Sequence, residues 1–367
     1  MLVARSSSVV RLLTLAFALP AAAAAQPLTL VPDEPACSSC TIEVEDVVRL
    51  DAAGLIPVAP QEVVLDGSGR YWLVFVNDLA MIYEADGRFI KSLSEGGGPQ
   101  EFEYPASITA VGDSLLVYDH QRGWAVVGPD LTVARRLARS RMFSRPIPFA
   151  WPDSVLLSVP ASSSGTERRS VFNVASFAGE EIRPLRSFTG ADPPAPIHPM
   201  QGTFISRSLM PGRAGVWITD YTRYRIDDTA FDGEVRQVYL REAPWFEEPN
   251  QRMRRSSQPP QPRIRAVRED AGGLLWVYIS VAAPTWREGY PVLEGTGPRD
   301  VRESEYSYEK LYQTTVEVID PAAGRVLARR TIPNYIVSPV GDDRAAIYDT
   351  TEIGEPLVRI VRLRLAR

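Results

Sequence analysis

Apolar and polar residues alternate with a period of two in short runs along most of the chain. Ile42, Val44, Val48 and Leu50 alternate with Glu43, Glu45 and Arg49. Val316 and Val318 alternate with Thr315 and Glu317, and Val361, Leu363 and Leu365 with Arg362 and Arg364. A period of two places every second side chain on one face, so these runs predict strands with a single buried face. The 31 prolines and 25 glycines punctuate the runs, as expected of an all-β chain with many tight turns. Helical periodicity is absent beyond the first 25 residues.

One unit recurs: a short apolar run, a polar turn with Asp or Gly, a β-branched or aromatic strand, and a second turn. The first copy has Val63-Val64-Leu65, the turn Asp66-Gly67-Ser68-Gly69, then Tyr71-Trp72-Leu73-Val74. The second has Ile108 to Val111, Gly112-Asp113-Ser114, then Leu115 to Asp119. Later copies turn at Pro152-Asp153, Pro211 to Gly215, Asp270-Ala271-Gly272-Gly273 and Gly341-Asp342-Asp343. Six copies, each with room for about four strands, predict a six-bladed β-propeller. The segments 184–202, 244–262 and 284–310 read as insertions. Strand 41–50 has no copy before it, and the last copy ends with strand 357–365. Pairing the two would close the ring and hide two sheet edges. A pair of β-sandwich domains is the structural alternative.

The start of the chain reads differently. Arg5 and Arg11 precede an apolar run, Leu12 to Leu19, and then the small residues Ala21 to Ala25. That order is a secretory signal peptide with cleavage after Ala25. Leu12 to Ala25 is too short for a transmembrane helix, which needs roughly 20 apolar residues. The expected organisation is a signal peptide over 1–25, an N-terminal segment with Cys-x-x-Cys over 26–40, and a propeller over 41–367. The expected location is secreted or periplasmic. Cleavage removes two arginines and takes the net charge from −5 to −7. An acidic chain is a poor partner for nucleic acid, which requires a positive face.

Cys37 and Cys40 are the only cysteines. Thr41 stands where a c-type haem attachment needs His. A thioredoxin-type site needs a helix after the first Cys, whereas Thr41-Ile42-Glu43-Val44 alternates like a strand. A local disulfide in an oxidising compartment is the preferred reading, with redox or metal chemistry as the alternatives.

The stretch Gly96-Gly97-Gly98-Pro99-Gln100-Glu101-Phe102-Glu103-Tyr104-Pro105, followed by Ile108 and then Asp113 to Asp119, resembles the NHL repeat. The wider chain, over 37–365, is similar to a group of secreted bacterial NHL-like six-bladed β-propellers. Members of that group likewise begin with Cys-x-x-Cys and carry a stretch like Tyr224-Arg225-Ile226, Asp232-Gly233 and Ala243-Pro244-Trp245-Phe246. An NHL repeat has Arg five residues after its closing Asp. Asp220 and Arg225 keep that spacing, while Trp124 stands there in the second copy, and Gln100 replaces the Gly before Glu. The resemblance implies a binding platform for proteins or nucleic acid, with a few relatives being lyases or hydrolases.

Candidate chemistry is sparse. Gly96 to Gly98 is followed by Pro99 and Phe102 rather than by a helix and Lys, so it reads as an inter-blade turn and not a phosphate cradle. His120 and His198 have no patterned partner and read as loop residues. Asn77, Asn173, Asn250 and Asn334 do not begin innermost strands, where calcium-dependent propeller hydrolases gather ligands. The Arg252, Arg254 and Arg255 cluster reads as a solvated loop. The recurrent Asp residues read as turn formers bonding their own backbone. Trp72, Trp217 and Trp276 fall on equivalent strands and read as inter-blade packing.

No catalytic motif, cofactor or metal site is found. The expectation is a monomeric binding module for a protein, peptide or glycan, with no membrane span. A propeller hydrolase or lyase with its site at the central channel is the alternative. Aligning the copies puts Gln61, Ser107, Arg145, Thr203, Arg263 and Tyr335 at one channel mouth. That ring has two arginines and no carboxylate, so it suits an anionic or polar ligand better than calcium, which wants six to eight oxygens.

Overall fold

The computed structural model describes residues 27–50, 56–75, 80–93, 101–103, 105–111, 113–119, 121–136, 154–159, 170–176, 182–188, 207–211, 215–220, 223–230, 234–246, 258–290 and 306–367. Strands β1 (Leu28–Val31) and β2 (Thr41–Leu50) come first. A meander follows: β3 (Glu62–Leu65), β4 (Tyr71–Val74), β5 (Ala80–Tyr83) and β6 (Phe89–Leu93) form blade A. Blade B is β7 (Pro105–Val111), β8 (Ser114–Asp119), β9 (Gly123–Val127) and β10 (Val133–Arg136). A three-stranded sheet joins β11 (Ser154–Val159), β12 (Ser170–Ser176) and β13 (Ile182–Phe188).

Blade C has β14 (Arg207–Pro211), β15 (Gly215–Asp220), β16 (Arg225–Ala230) and β17 (Val235–Arg241), with β1 added parallel to β17. Blade D has β18 (Arg263–Glu269), β19 (Leu275–Ala282), β20 (Tyr312–Asp320) and β21 (Arg325–Ile332). Blade E has β22 (Tyr335–Val340), β23 (Arg344–Thr350) and β24 (Pro356–Ala366), and takes β2 as its outer strand.

The fold is an all-β propeller, with one correction to its expected count. Five blades are complete, with four or more strands each, rather than six. The remaining sheet has three strands among the described residues. Its expected inner strand, approached through Arg145, lies outside them. Ring closure follows the expected pairing, since β2 runs antiparallel to β24 from Thr41↔Ala366 to Leu50↔Val358.

Innermost strands β14, β18, β22, β3 and β7 succeed one another as neighbours. Ser338 Oγ accepts the Val63 N–H at 3.0 Å, and Thr314 Oγ1 accepts that of Ile336 at 2.9 Å, so the blades bond as well as pack. Buried apolar layers fill each seam. Tyr71, Met81, Tyr335 and Ile360 lie between E and A; Trp72, Ile108 and Val117 between A and B. Trp217, Ile264 and Val277 lie between C and D; Trp276, Ile336 and Val361 between D and E. Trp72, Trp217 and Trp276 therefore do pack between blades, as their equivalent positions predict. Burial of such large side chains contributes on the order of 2–3 kcal/mol each.

The Asp turns do more than bond their own backbone. In blade A, Asp66 Oδ1 accepts the N–H groups of Ser68 and Arg70, both at 2.9 Å. Its Oδ2 accepts Trp72 Nε1–H at 3.0 Å. Blade D repeats the lock six residues apart: Asp270 Oδ1 accepts Gly272 N–H at 2.7 Å and Leu274 N–H at 3.0 Å, and Oδ2 accepts Trp276 Nε1–H at 2.9 Å. Gly69 and Gly273 stand at matching positions with φ of 84° and 83°, a left-handed conformation that glycine adopts without strain.

Residues 27–40, the described part of the N-terminal segment expected over 26–40, form a strap across the outer rim. β1 extends blade C, the Ala36 N–H donates to Val326 O of blade D at 2.8 Å, and β2 completes blade E. Cys37 and Cys40 form a disulfide within this strap.

Candidate functional site

The sequence of β18, Arg-Ile-Arg-Ala-Val-Arg-Glu, puts three arginines on an innermost strand. Ile264 is fully buried and fixes the strand's orientation, which leaves Arg263 and Arg265 to find polar or aromatic neighbours. They find tyrosines. The Arg263 guanidinium lies 4.9 Å from the Tyr312 ring centre, and that of Arg265 lies 5.6 Å from Tyr335. Tyr312 and Tyr335 are 6.0 Å apart, and Tyr308 packs on both, at 6.0 and 5.4 Å. A cation over an aromatic face gains about 0.5–2 kcal/mol, more when water is excluded. The Nε and Nη2 of Arg263 are buried with no hydrogen-bond partner. They form one edge of the guanidinium, the edge that matches a carboxylate or phosphate.

The insertion between β19 and β20 builds the rest of this mouth. A 3₁₀ turn, Trp286–Gly289, and one helical turn, α1 (Tyr308–Leu311), fold against each other. Ala283 N–H donates to Leu311 O at 2.9 Å, and Ser307 N–H to Gly289 O at 3.1 Å. Trp286, Tyr290 and Tyr306 continue the aromatic surface edge to face, with Arg287 over Trp286 at 4.6 Å. Burial raises the pKa of Glu309, and burial with the charge of Glu309 pushes Tyr348 up to about 12.

Of the six mouth residues expected from the sequence, Arg263 and Tyr335 are the first residues of their strands and are brought together through Tyr312. Gln61 immediately precedes β3, which begins at Glu62, and its N–H donates to Val74 O at 2.7 Å. Ser107 is buried in β7, next to a register shift between Pro105 and Ser107. Arg145 and Thr203 lie outside the described residues, as do His120, His198, Asn77, Asn250, Arg252, Arg254 and Arg255. Tyr308, Tyr312 and Arg265 were not legible as site residues, although the spacing of Tyr290, Tyr306, Tyr308 and Tyr312 marks the insertion as unusually aromatic. No group of three or more His, Cys, Asp or Glu residues able to hold a metal occurs among the described residues. Among the described residues, no helix is long and apolar enough to cross a membrane.

A second polar cluster sits in the C–D seam. Glu317, fully buried on β20, accepts Arg241 Nη2–H at 2.9 Å, Arg329 Nε–H at 2.6 Å and Tyr224 O–H at 2.5 Å. Asp33 of the strap accepts Arg241 at 2.6 Å, Trp245 Nε1–H at 3.2 Å, and Arg329 as well. Burial, then the adjacent Glu317 charge and bond, hold the Tyr224 phenol well above its usual pKa. Burial opposes the charge on Asp33, but bonds from Arg329 and Trp245 and the charges of both arginines leave its pKa lowered. Two cations meet two anions here, so the cluster is a structural clasp. It explains the Tyr224 and Ala243-Pro244-Trp245-Phe246 stretch, whose rings pack together.

No family model matches the chain, and no curated protein does. Among solved structures, the WD40 domain of Neurospora crassa Pan2 is similar at 7% identity and a TM-score of 0.47, over 87% of this chain and 95% of that one. The WD40 propeller of Doa1 follows at 10% and 0.45, over 87% and 96%. The Cps50 (Swd1) propeller of Myceliophteria thermophila stands at 9% and 0.41, over 88% and 100%. At such identities no ligand or partner transfers to this chain.

Proposed function

We propose that the protein is an exported, monomeric, NHL-like propeller that acts as a recognition module, binding a protein, peptide or glycan through an anionic or polar group at the Arg263–Tyr312–Tyr335 mouth. The observation that carries this reading is the Arg263 guanidinium, 4.9 Å from the Tyr312 ring centre, with its Nε and Nη2 unbonded. Aromatic residues and arginine dominate the centres of binding surfaces because they bring large contact areas and directional bonds. Export is supported by the leader pattern of residues 1–25 and by the Cys37–Cys40 disulfide, which suits an oxidising compartment.

The test is binding of the exported protein to peptide and glycan arrays, with Arg263→Ala and Arg265→Ala in parallel. The expected result is at least a tenfold loss of the strongest ligands at an unchanged melting temperature. Unchanged binding by both variants would remove the mouth from the function. Mass spectrometry of the exported chain should find Gln26 at its N-terminus; an intact leader would overturn the export reading.

A further inference from the structure

The third arginine of β18 lies at the opposite end of the strand and has no role in that mouth. Arg268 is 9% exposed, and its Nε and Nη1 are buried without a hydrogen-bond partner. It stacks on Trp276 at 5.3 Å. An unpaired buried charge is among the costliest features a fold can retain. Blade A shows the ordinary solution for this position. Val64 faces Trp72 in the register where Arg268 faces Trp276. Arg70, four residues after Asp66, bonds Asp66 Oδ2 at 2.8 Å and reaches the Pro129 carbonyl of blade B at 2.8 Å, bridging the A–B seam.

Blade D reverses both choices. Arg replaces Val at the first position, and Leu274 stands where Arg70 would bridge. The D–E seam is left as an open groove of about 390 Å³, lined by Arg268, Trp276, Leu274, Leu363 and Leu365, with Asp342, Arg364 and Arg367 also at its walls. Asp270 and Asp343 also line it, but their carboxylates are engaged, by the turn N–H groups and Trp276 and by Arg362. The Tyr278 hydroxyl, buried in the same seam, has no partner either.

We propose that this groove is a second binding site, taking an acidic side chain of a partner polypeptide, flanked by an apolar residue. The carboxylate would face Arg268 and the apolar neighbour would lie on Leu274, Leu363 and Leu365. Exposed Asp342 is placed to accept N–H groups of the bound strand. The unbonded guanidinium atoms of Arg268 make the groove complementary to a carboxylate, and the leucines argue for a peptide over a bare anion.

The probe is a Leu-Glu-Leu tripeptide with both termini blocked, followed by the Trp276 indole N–H resonance, assigned with Trp276→Phe. The proposal expects saturable shifts that weaken at least tenfold for Leu-Gln-Leu. The same loss is expected for Arg268→Gln. Leu274→Arg, which would supply the blade A bridge, should also abolish binding and guards against misfolding of the first variant. Arg263→Ala should leave binding intact, which separates this site from the mouth. Equal binding of the two tripeptides, no binding, or persistence in both groove variants would overturn the proposal. Succinate binding as tightly as Leu-Glu-Leu would overturn the peptide assignment.

Discussion

Blade D has two flanks that bury the same pair of side-chain types and treat them oppositely. On the C side, Arg241 and Tyr224 converge on Glu317, and the strap adds Asp33. On the E side, Arg268 and Tyr278 lie in the seam with unbonded polar atoms, and the Tyr278 phenol is pushed up to about 12 by burial. The difference is one of supply. Residues 27–36 cross the C–D rim and bring a carboxylate with them, whereas an open groove marks the D–E seam. A buried guanidinium with its anions holds blades together; one without them is an acceptor for an anion from outside.

The contrast can be broken most forcefully at Glu317. Glu317→Gln should cost about 3–5 kcal/mol in urea unfolding, the loss expected when a buried ion pair keeps its cations and loses its anion. A change below about 1 kcal/mol would mean the clasp is solvated and the contrast empty. Tyr224→Phe comes next, at about 1.5–3 kcal/mol for a hydrogen bond to a charged group.

Acid sharpens the comparison further. The Asp33 carboxyl is held below its ordinary value of 3.8, so the folded state releases this proton more readily than the unfolded chain does. Its stabilisation is complete above the usual carboxylate range and is lost as pH falls through the lowered folded value. The protection of the Leu28–Val31 amides, taken against the intrinsic rate at each pH, should therefore fall below about pH 4, before that of β22 and β23, and Asp33→Asn should show the lower protection already at neutral pH. The smallest effect belongs to the unpaired partner. Tyr278→Phe removes a hydroxyl with nothing to lose, and its stability should stay within about 0.5 kcal/mol of the parent.

Much of the architecture was legible because it is local. Alternation at Ile42 to Leu50 and Val361 to Leu365 marked the closing strands, and each Asp-Gly turn announced itself. The Asp66–Trp72 and Asp270–Trp276 locks were half legible: turn and packing were read separately, but not the bond that joins them. The clasp was not legible, because Asp33, Tyr224, Arg241, Glu317 and Arg329 meet only when three separate stretches of chain fold together. At the mouth, Tyr308 and Tyr312 lay in or beside a segment whose weak periodicity marked it only as an insertion. The blade count was overstated at the third copy, whose sheet has three strands among the described residues.

The proposed recognition role of the Arg263 mouth is tested most directly by calorimetric titration of the protein and of Arg263→Ala with sulfate and, separately, with calcium. The account predicts weak, saturable sulfate binding that disappears in the variant, and no specific heat from calcium. Calcium binding tighter than sulfate and unaffected by Arg263→Ala would contradict it and move the function to carboxylate chemistry at the channel.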